Sequence, residues 1–162
     1  MKNIERLGRE IKIRSYNLLE HSFMVAVLFS KFANKEDIPY DMQVFKLVLH
    51  HDIIETITGD LPYPVKNLNR MTEDAWDLIE KEVAISNPRF NAYTDIRIEN
   101  EMSPLQYKLF KACDMLELWI FVKEEQALGN GSIEMEKVRL KAESILGEQF
   151  KSIDEFMKNF TV

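Results

Sequence analysis

The stretch LHHDIIETITGDLP, residues 49–62, sets His50, His51 and Asp52 between the apolar runs Leu47-Val48-Leu49 and Ile53-Ile54. A buried polar group without partners costs roughly 2–7 kcal/mol, and an unpaired charge costs more. A bound cation would compensate that cost. A His-Asp dipeptide offers one nitrogen and one oxygen ligand, a mixture that suits a divalent ion of intermediate hardness such as Mn, Co, Fe or Ni. Two more ligands are needed to hold such an ion well. With three histidines in the chain, the candidates are few. His21 interrupts the apolar stretch LLEHSFMVAVLF, and Asp114 interrupts LFKACDMLELWIF. Taken singly, each has an ordinary alternative. His21 would also serve as a hydrogen-bonded core histidine, and Asp114 as a carboxylate paired with Lys111 or Arg139. Together with His51 and Asp52 they make a two-histidine, two-aspartate set.

Glu55 stands four residues after His51 and three after Asp52, so a helix would place it on their face. There it can reach a metal-bound water or a leaving oxygen; the alternative is a surface glutamate at a helix end. His50 turns about 100° from His51 on a helix, which gives it a structural role.

Helical apolar spacing must position these residues. The pattern predicts a short helix near 2–11, a loop through 14–18, and a helix near 20–35 with Asn17 as its cap. Asp41 is the expected N-cap of a helix running to about Ile57, which TGDLPYPVK then breaks. Thr72 is the expected cap of a helix to about Ser86, and residues 87–102 read as irregular. Ser103-Pro104 opens a long helix that ends at LGNGS. Another helix covers roughly 132–147, and a further one reaches 160. No period-2 strand stands out, so the expected fold is all-α. Trp76, Phe90, Tyr93, Trp119 and Phe121 read as core or oligomer packing, and Cys113 as a small core residue.

The 162 residues suit one domain, and a composition 46% hydrophobic and 30% charged suits a globular chain. A net charge of −6 argues against a polymeric nucleic acid partner. Small phosphorylated ligands need only a local basic patch. The first fourteen residues supply one: Lys2, Arg6, Arg9, Lys12 and Arg14 against Glu5 and Glu10. For Arg9 and Lys12 a solvated helix face is an equal reading. Lys66, after Pro62 and Pro64, is a further cation. A single cysteine, no secretory leader and no apolar run of membrane-spanning length lead us to expect a cytoplasmic protein without membrane association.

These segments resemble the HD-domain phosphohydrolases, named for their His-Asp pair, and within them the bacterial 5′-deoxynucleotidases and their eukaryotic and phage relatives. RSYNLLEHSFMVA (14–26) resembles the family's Arg-x-x-Asn-x-x-Glu-His-Ser segment. HDIIETITGDLPYPVK (51–66) is similar to its His-Asp-x-x-Glu-x-x-x-Gly-Asp-Leu-Pro-x-Pro-Val-Lys segment almost position for position. KACDMLELWIFVKEEQALGN (111–130) resembles its Lys-Ala-x-Asp segment and the Glu-Glu-x-x-x-Gly-Asn that follows.

The resemblance implies one all-helical HD domain over residues 1–162, with about six or more helices. It implies one divalent metal on His21, His51, Asp52 and Asp114. Mn, Co, Fe, Ni or Mg would serve, with Mn or Co favoured because imidazole prefers the softer ions. Glu55 is then the catalytic residue that handles a proton or orients water. Arg6 falls at the family's phosphate-binding arginine, Arg14 also matches, and Asp60 is expected near the sugar 3′-hydroxyl. The family often has Trp after that first arginine; Leu7 stands here, which weakens the expectation of 2′-deoxy selectivity. The implied activity is hydrolysis of the 5′-phosphate of deoxynucleoside monophosphates by a homodimer or higher homo-oligomer. The alternatives are a deoxynucleoside triphosphohydrolase releasing triphosphate and a non-catalytic nucleotide-binding regulator.

Overall fold

The computed structural model describes residues 4–7, 11–59, 69–88, 90, 95–147 and 149–162. Eight helices and no strand occur among them. The helices are α1 (Leu18–Lys35), α2 (Met42–Leu49), α3 (Glu55–Thr58), α4 (Arg70–Ser86), α5 (Asp95–Glu101), α6 (Pro104–Ala127), α7 (Ile133–Leu146) and α8 (Lys151–Asn159). The all-α expectation holds.

Local chemistry explains most of the starts. The Asn17 side chain accepts from the Glu20 N–H, Asp41 from the Val44 N–H, and Ser132 from the Met135 N–H. Each satisfies a donor that a helix start leaves open. Ser103 and Gln106 form a reciprocal capping box, with Pro104 at the first helical position.

Four expectations need correction. Ile4 to Leu7 are not helical: Glu5 forms an antiparallel bridge with Asn17, the Arg6 N–H donates to Tyr16 O at 2.7 Å, and Leu18 N–H to Ile4 O at 2.9 Å. Those backbone groups are used across the chain rather than along a helix. The helix expected from Asp41 to Ile57 ends at Leu49. His50 leaves helical geometry at φ −113°, ψ 14°, and i→i+3 turns follow, from Ile53 N–H to His50 O and from Glu55 N–H to Asp52 O. Two histidine rings add bonds to carbonyls at that end: His50 Nδ1 to Lys46 O at 2.8 Å and His51 Nδ1 to Val48 O at 2.7 Å. The cap of α4 is Asn69, and Thr72 closes the box from the third helical position. Residues 95–101, expected to be irregular, form α5.

Helix α1 lies at the centre, packed on α2 and α6 and, more lightly, on α8; α7 packs on α6. Val25, Phe29 and Phe32 of α1 meet Leu47 of α2 and Cys113 and Leu116 of α6 in the main core. Burial of such side chains contributes about 1.5–3 kcal/mol each. His21 lies one turn before Val25 on the same buried stripe of α1. A smaller core of Tyr16, Phe121, Val122 and Met135, with Leu7 packed against it, sits under the N-terminal arm. Among the described residues no helix is long and apolar enough to cross a membrane.

Candidate active site

Three parts of the fold converge on one point. The first turn of α1 brings His21, the turn after α2 brings His51 and Asp52, and the middle of α6 brings Asp114. His21 Nε2 lies 3.2 Å from His51 Nε2, 3.2 Å from Asp114 Oδ1 and 3.4 Å from Asp52 Oδ2. His51 Nε2 lies 3.3 Å from Asp52 Oδ1. One ligand atom each from His21, His51 and Asp114 fall within 4.8 Å of one another. Three of the four expected ligands therefore share one point; Asp52 stands beside them with its Oδ2 held by Arg6, and a turn, not a continuous helix, carries the His-Asp pair.

The other ring nitrogens set what these atoms offer. A peptide carbonyl only accepts, so the bond to Val48 O puts a proton on His51 Nδ1 and, in the neutral ring, leaves Nε2 with a bare lone pair. Burial lowers the His51 pKa and keeps the ring neutral. Burial and the Arg6 charge push His21 down as well. The Glu117 charge and hydrogen bonds to Asp114 and Glu117 outweigh them and raise His21 to about 9. The centre of the cluster thus favours positive charge. Burial works against ionised Asp52 too, but the charges of His51, Arg6 and His21 hold its carboxyl below the ordinary range. Two imidazole nitrogens and two ionised carboxylates facing inward fit a divalent cation.

Around this cluster, Arg6 donates Nη1 to Asp52 Oδ2. Burial disfavours its charge, but Asp52, Tyr16, Asp114 and Glu55 more than offset that and keep the guanidinium charged. Glu55, 6% exposed at the start of α3, is one of the charges that keep Arg6 protonated. Lys111 Nζ stands 3.6 Å from Asp114 Oδ2, so the ordinary pairing considered for Asp114 coexists with its place in the cluster. Arg14 is engaged elsewhere: it bonds Glu20 at 3.0 Å and Glu124 at 2.6 Å, and lies over the Phe121 ring. Asp60 and Lys66 lie outside the described residues.

Sequence reasoning missed Glu117. Its Oε2 stands 2.6 Å from His21 Nδ1 and also accepts from the Tyr16 hydroxyl. The available signal was its spacing: Phe110, Cys113, Glu117 and Phe121 form one buried stripe of α6, in which an acid is out of place.

The fold has close counterparts. An HD-domain phosphohydrolase from Listeria innocua superposes with a TM-score of 0.79 at 20% identity, over 98% of this chain and 82% of that one. The chain therefore has the fold of the HD-domain phosphohydrolases. The cyanophage S-2L HD phosphohydrolase DatZ, solved bound to dA and one catalytic Zn2+ ion, gives a TM-score of 0.69 at 23% identity over 98% of this chain and 81% of its own. The family model described as 5′-deoxynucleotidase YfbR-like matches residues 1–162, and the chain belongs to that family. The 5′-deoxynucleotidase YfbR of Shigella dysenteriae is 27% identical over 171 residues, 99% of this chain and 85% of the relative. That of Salmonella arizonae is 28% identical over 172 residues with the same coverage.

Proposed function

We propose that the protein hydrolyses the 5′-phosphate of deoxynucleoside monophosphates with one divalent metal ion, Mn or Co in preference to Mg, held by His21, His51, Asp52 and Asp114. The convergence of His21 Nε2, His51 Nε2 and Asp114 Oδ1 carries this reading. An ion bound there supplies positive charge to the phosphoryl group and a water of lowered pKa. The protein's own part is mainly placement, since phosphoryl transfer asks for little covalent chemistry. Glu55 takes a proton at its carboxylate as water attacks phosphorus and the bond to the 5′-oxygen breaks, and returns that proton to the leaving oxygen, or it orients the water. Arg6 meets phosphate oxygens from the edge of the cluster, where its planar fork matches their geometry. Asp60 holds the sugar 3′-hydroxyl, and Lys66 and Arg14 add positive charge on the phosphate side. Arg14 also bonds Glu20 and Glu124.

The family match over residues 1–162 supports a single HD domain. The family resemblance also supports a cytoplasmic homodimer or larger homo-oligomer, which light scattering on a sizing column would measure. The deciding experiment is a matrix of metals against mono- and triphosphates in deoxy and ribo forms. The expected result is inorganic phosphate and deoxynucleoside from deoxynucleoside monophosphates with Mn2+ or Co2+. Triphosphate release from deoxynucleoside triphosphates alone would make it a triphosphohydrolase. Nucleotide binding without turnover under every metal would make it a regulator.

A further inference from the structure

We propose that Glu117, assisted by Tyr16, is a positioning residue that fixes the tautomer and orientation of His21 and so sets how tightly the site holds its metal ion. The inference rests on His21 being a ligand. A histidine can ligate through Nε2 only if that nitrogen is bare, which requires its proton to sit on Nδ1. Around His21 Nε2 stand His51 Nε2 and Asp114 Oδ1, each at 3.2 Å, with Asp52 Oδ2 at 3.4 Å. None of these supplies a reason for the ring to keep its proton on the other side. Glu117 does: its Oε2 lies 2.6 Å from Nδ1 and accepts there.

The acceptor is itself held. The Tyr16 hydroxyl donates to the same Oε2, and the Tyr16 ring stacks on Phe121 at 3.9 Å between centroids, with 11° between planes. Tyr16 and His21 are fully buried and Glu117 is 4% exposed. A carboxylate on the core stripe of α6 is costly unless charge-assisted bonds compensate it. A leucine would fill that position for packing alone. The two imidazoles are therefore backed differently, His51 by a neutral peptide carbonyl and His21 by an anion. An ionised acceptor strengthens the bond and raises the donor strength of Nε2.

The test is Mn2+ binding to the protein without nucleotide, read by the free-ion electron paramagnetic resonance signal, together with the melting temperature of each metal-free variant. Glu117→Gln keeps the shape and an accepting oxygen but removes the charge. It should weaken Mn2+ binding by roughly 10- to 100-fold. A folded Glu117→Gln variant with the parent's Mn2+ affinity would overturn the proposal, whatever its melting temperature, since a purely structural role moves stability without moving the Kd. If Glu117→Gln does not fold, Tyr16→Phe decides. That variant leaves Glu117 and His21 in place, so several-fold weaker binding supports the proposal and unchanged binding refutes it. Failure of the unsubstituted protein to bind Mn2+ would remove the ligand reading and, with it, this one. Normal binding by the parent with no effect in the variants would remove this one alone.

Discussion

Glu55 opens α3 three residues after Asp52, buried and close enough to Arg6 for its charge to be felt there. Three roles give three different outcomes for Glu55→Ala. Loss of a proton-handling group should lower kcat by roughly 10²–10⁴ with metal still bound. Loss of a ligand would remove metal and activity together, and a peripheral residue would leave turnover near normal. We expect the first outcome, checked by metal content and kcat on one folded preparation. At this scale the cluster was legible because His21, His51 and Asp114 are polar interruptions of apolar stripes, and such interruptions need compensation. Glu117 was less so. An acid three residues after Asp114 reads as an ordinary neighbour on the same helix face, and only the burial of that face makes it unusual.

Among the elements, the N-terminal arm depends on one carboxylate. Glu125, fully buried near the end of α6, accepts from the Ile13 N–H at 2.7 Å, the Arg14 N–H at 2.9 Å and Asn130 Nδ2 at 2.8 Å. Asn130 also donates to Ile11 O. Burial raises the Glu125 pKa, but the bonds from Asn130, Ile13 and Arg14 and the Arg14 charge outweigh it and hold the value below 4.5. A depressed folded pKa contributes stability that is present above the unfolded value and lost as pH falls through the folded one. Glu125→Gln should therefore cost about 2 kcal/mol near neutral pH, with the gap closing as pH falls through and below the ordinary carboxylate range. Melting curves of both proteins from pH 3 to 7 check this. The arm was misread because its basic residues have helical spacing, whereas its backbone pairs with residues 16–18 and with α6, partners that sequence spacing does not reveal. The starts at Asn17, Asp41 and Ser103-Pro104 were legible because caps act within three residues. The end of α2 was not, because it depends on histidine rings turning back onto carbonyls.

For the molecule as a whole, folding and metal binding are linked. A cation that binds only the assembled cluster stabilises the folded state by about 2.7 kcal/mol at a concentration 100 times its Kd. For a chain of this size that raises the melting temperature by about 5–10 °C. Chelator should reverse the shift, and a thermal scan at several Mn2+ concentrations measures it. The helical class was legible from periodicity alone; that α1 lies between α2 and α6 was not, since every amphipathic helix offers only a face. The clasp between Ile13, Arg14 and Glu125 joins residues 111 and 112 positions apart. On the ribosome, Arg6, Tyr16, His21 and the His-Asp pair leave the exit tunnel well before α6 does. A nascent chain at that stage lacks Asp114, Glu117 and Glu125, so it has neither the last carboxylate of the cluster nor the anchor for its arm. With Asp114 in the ligand role proposed above, metal loading would wait until synthesis is nearly finished, and a truncated translation product would be a poor competitor for the cell's metal.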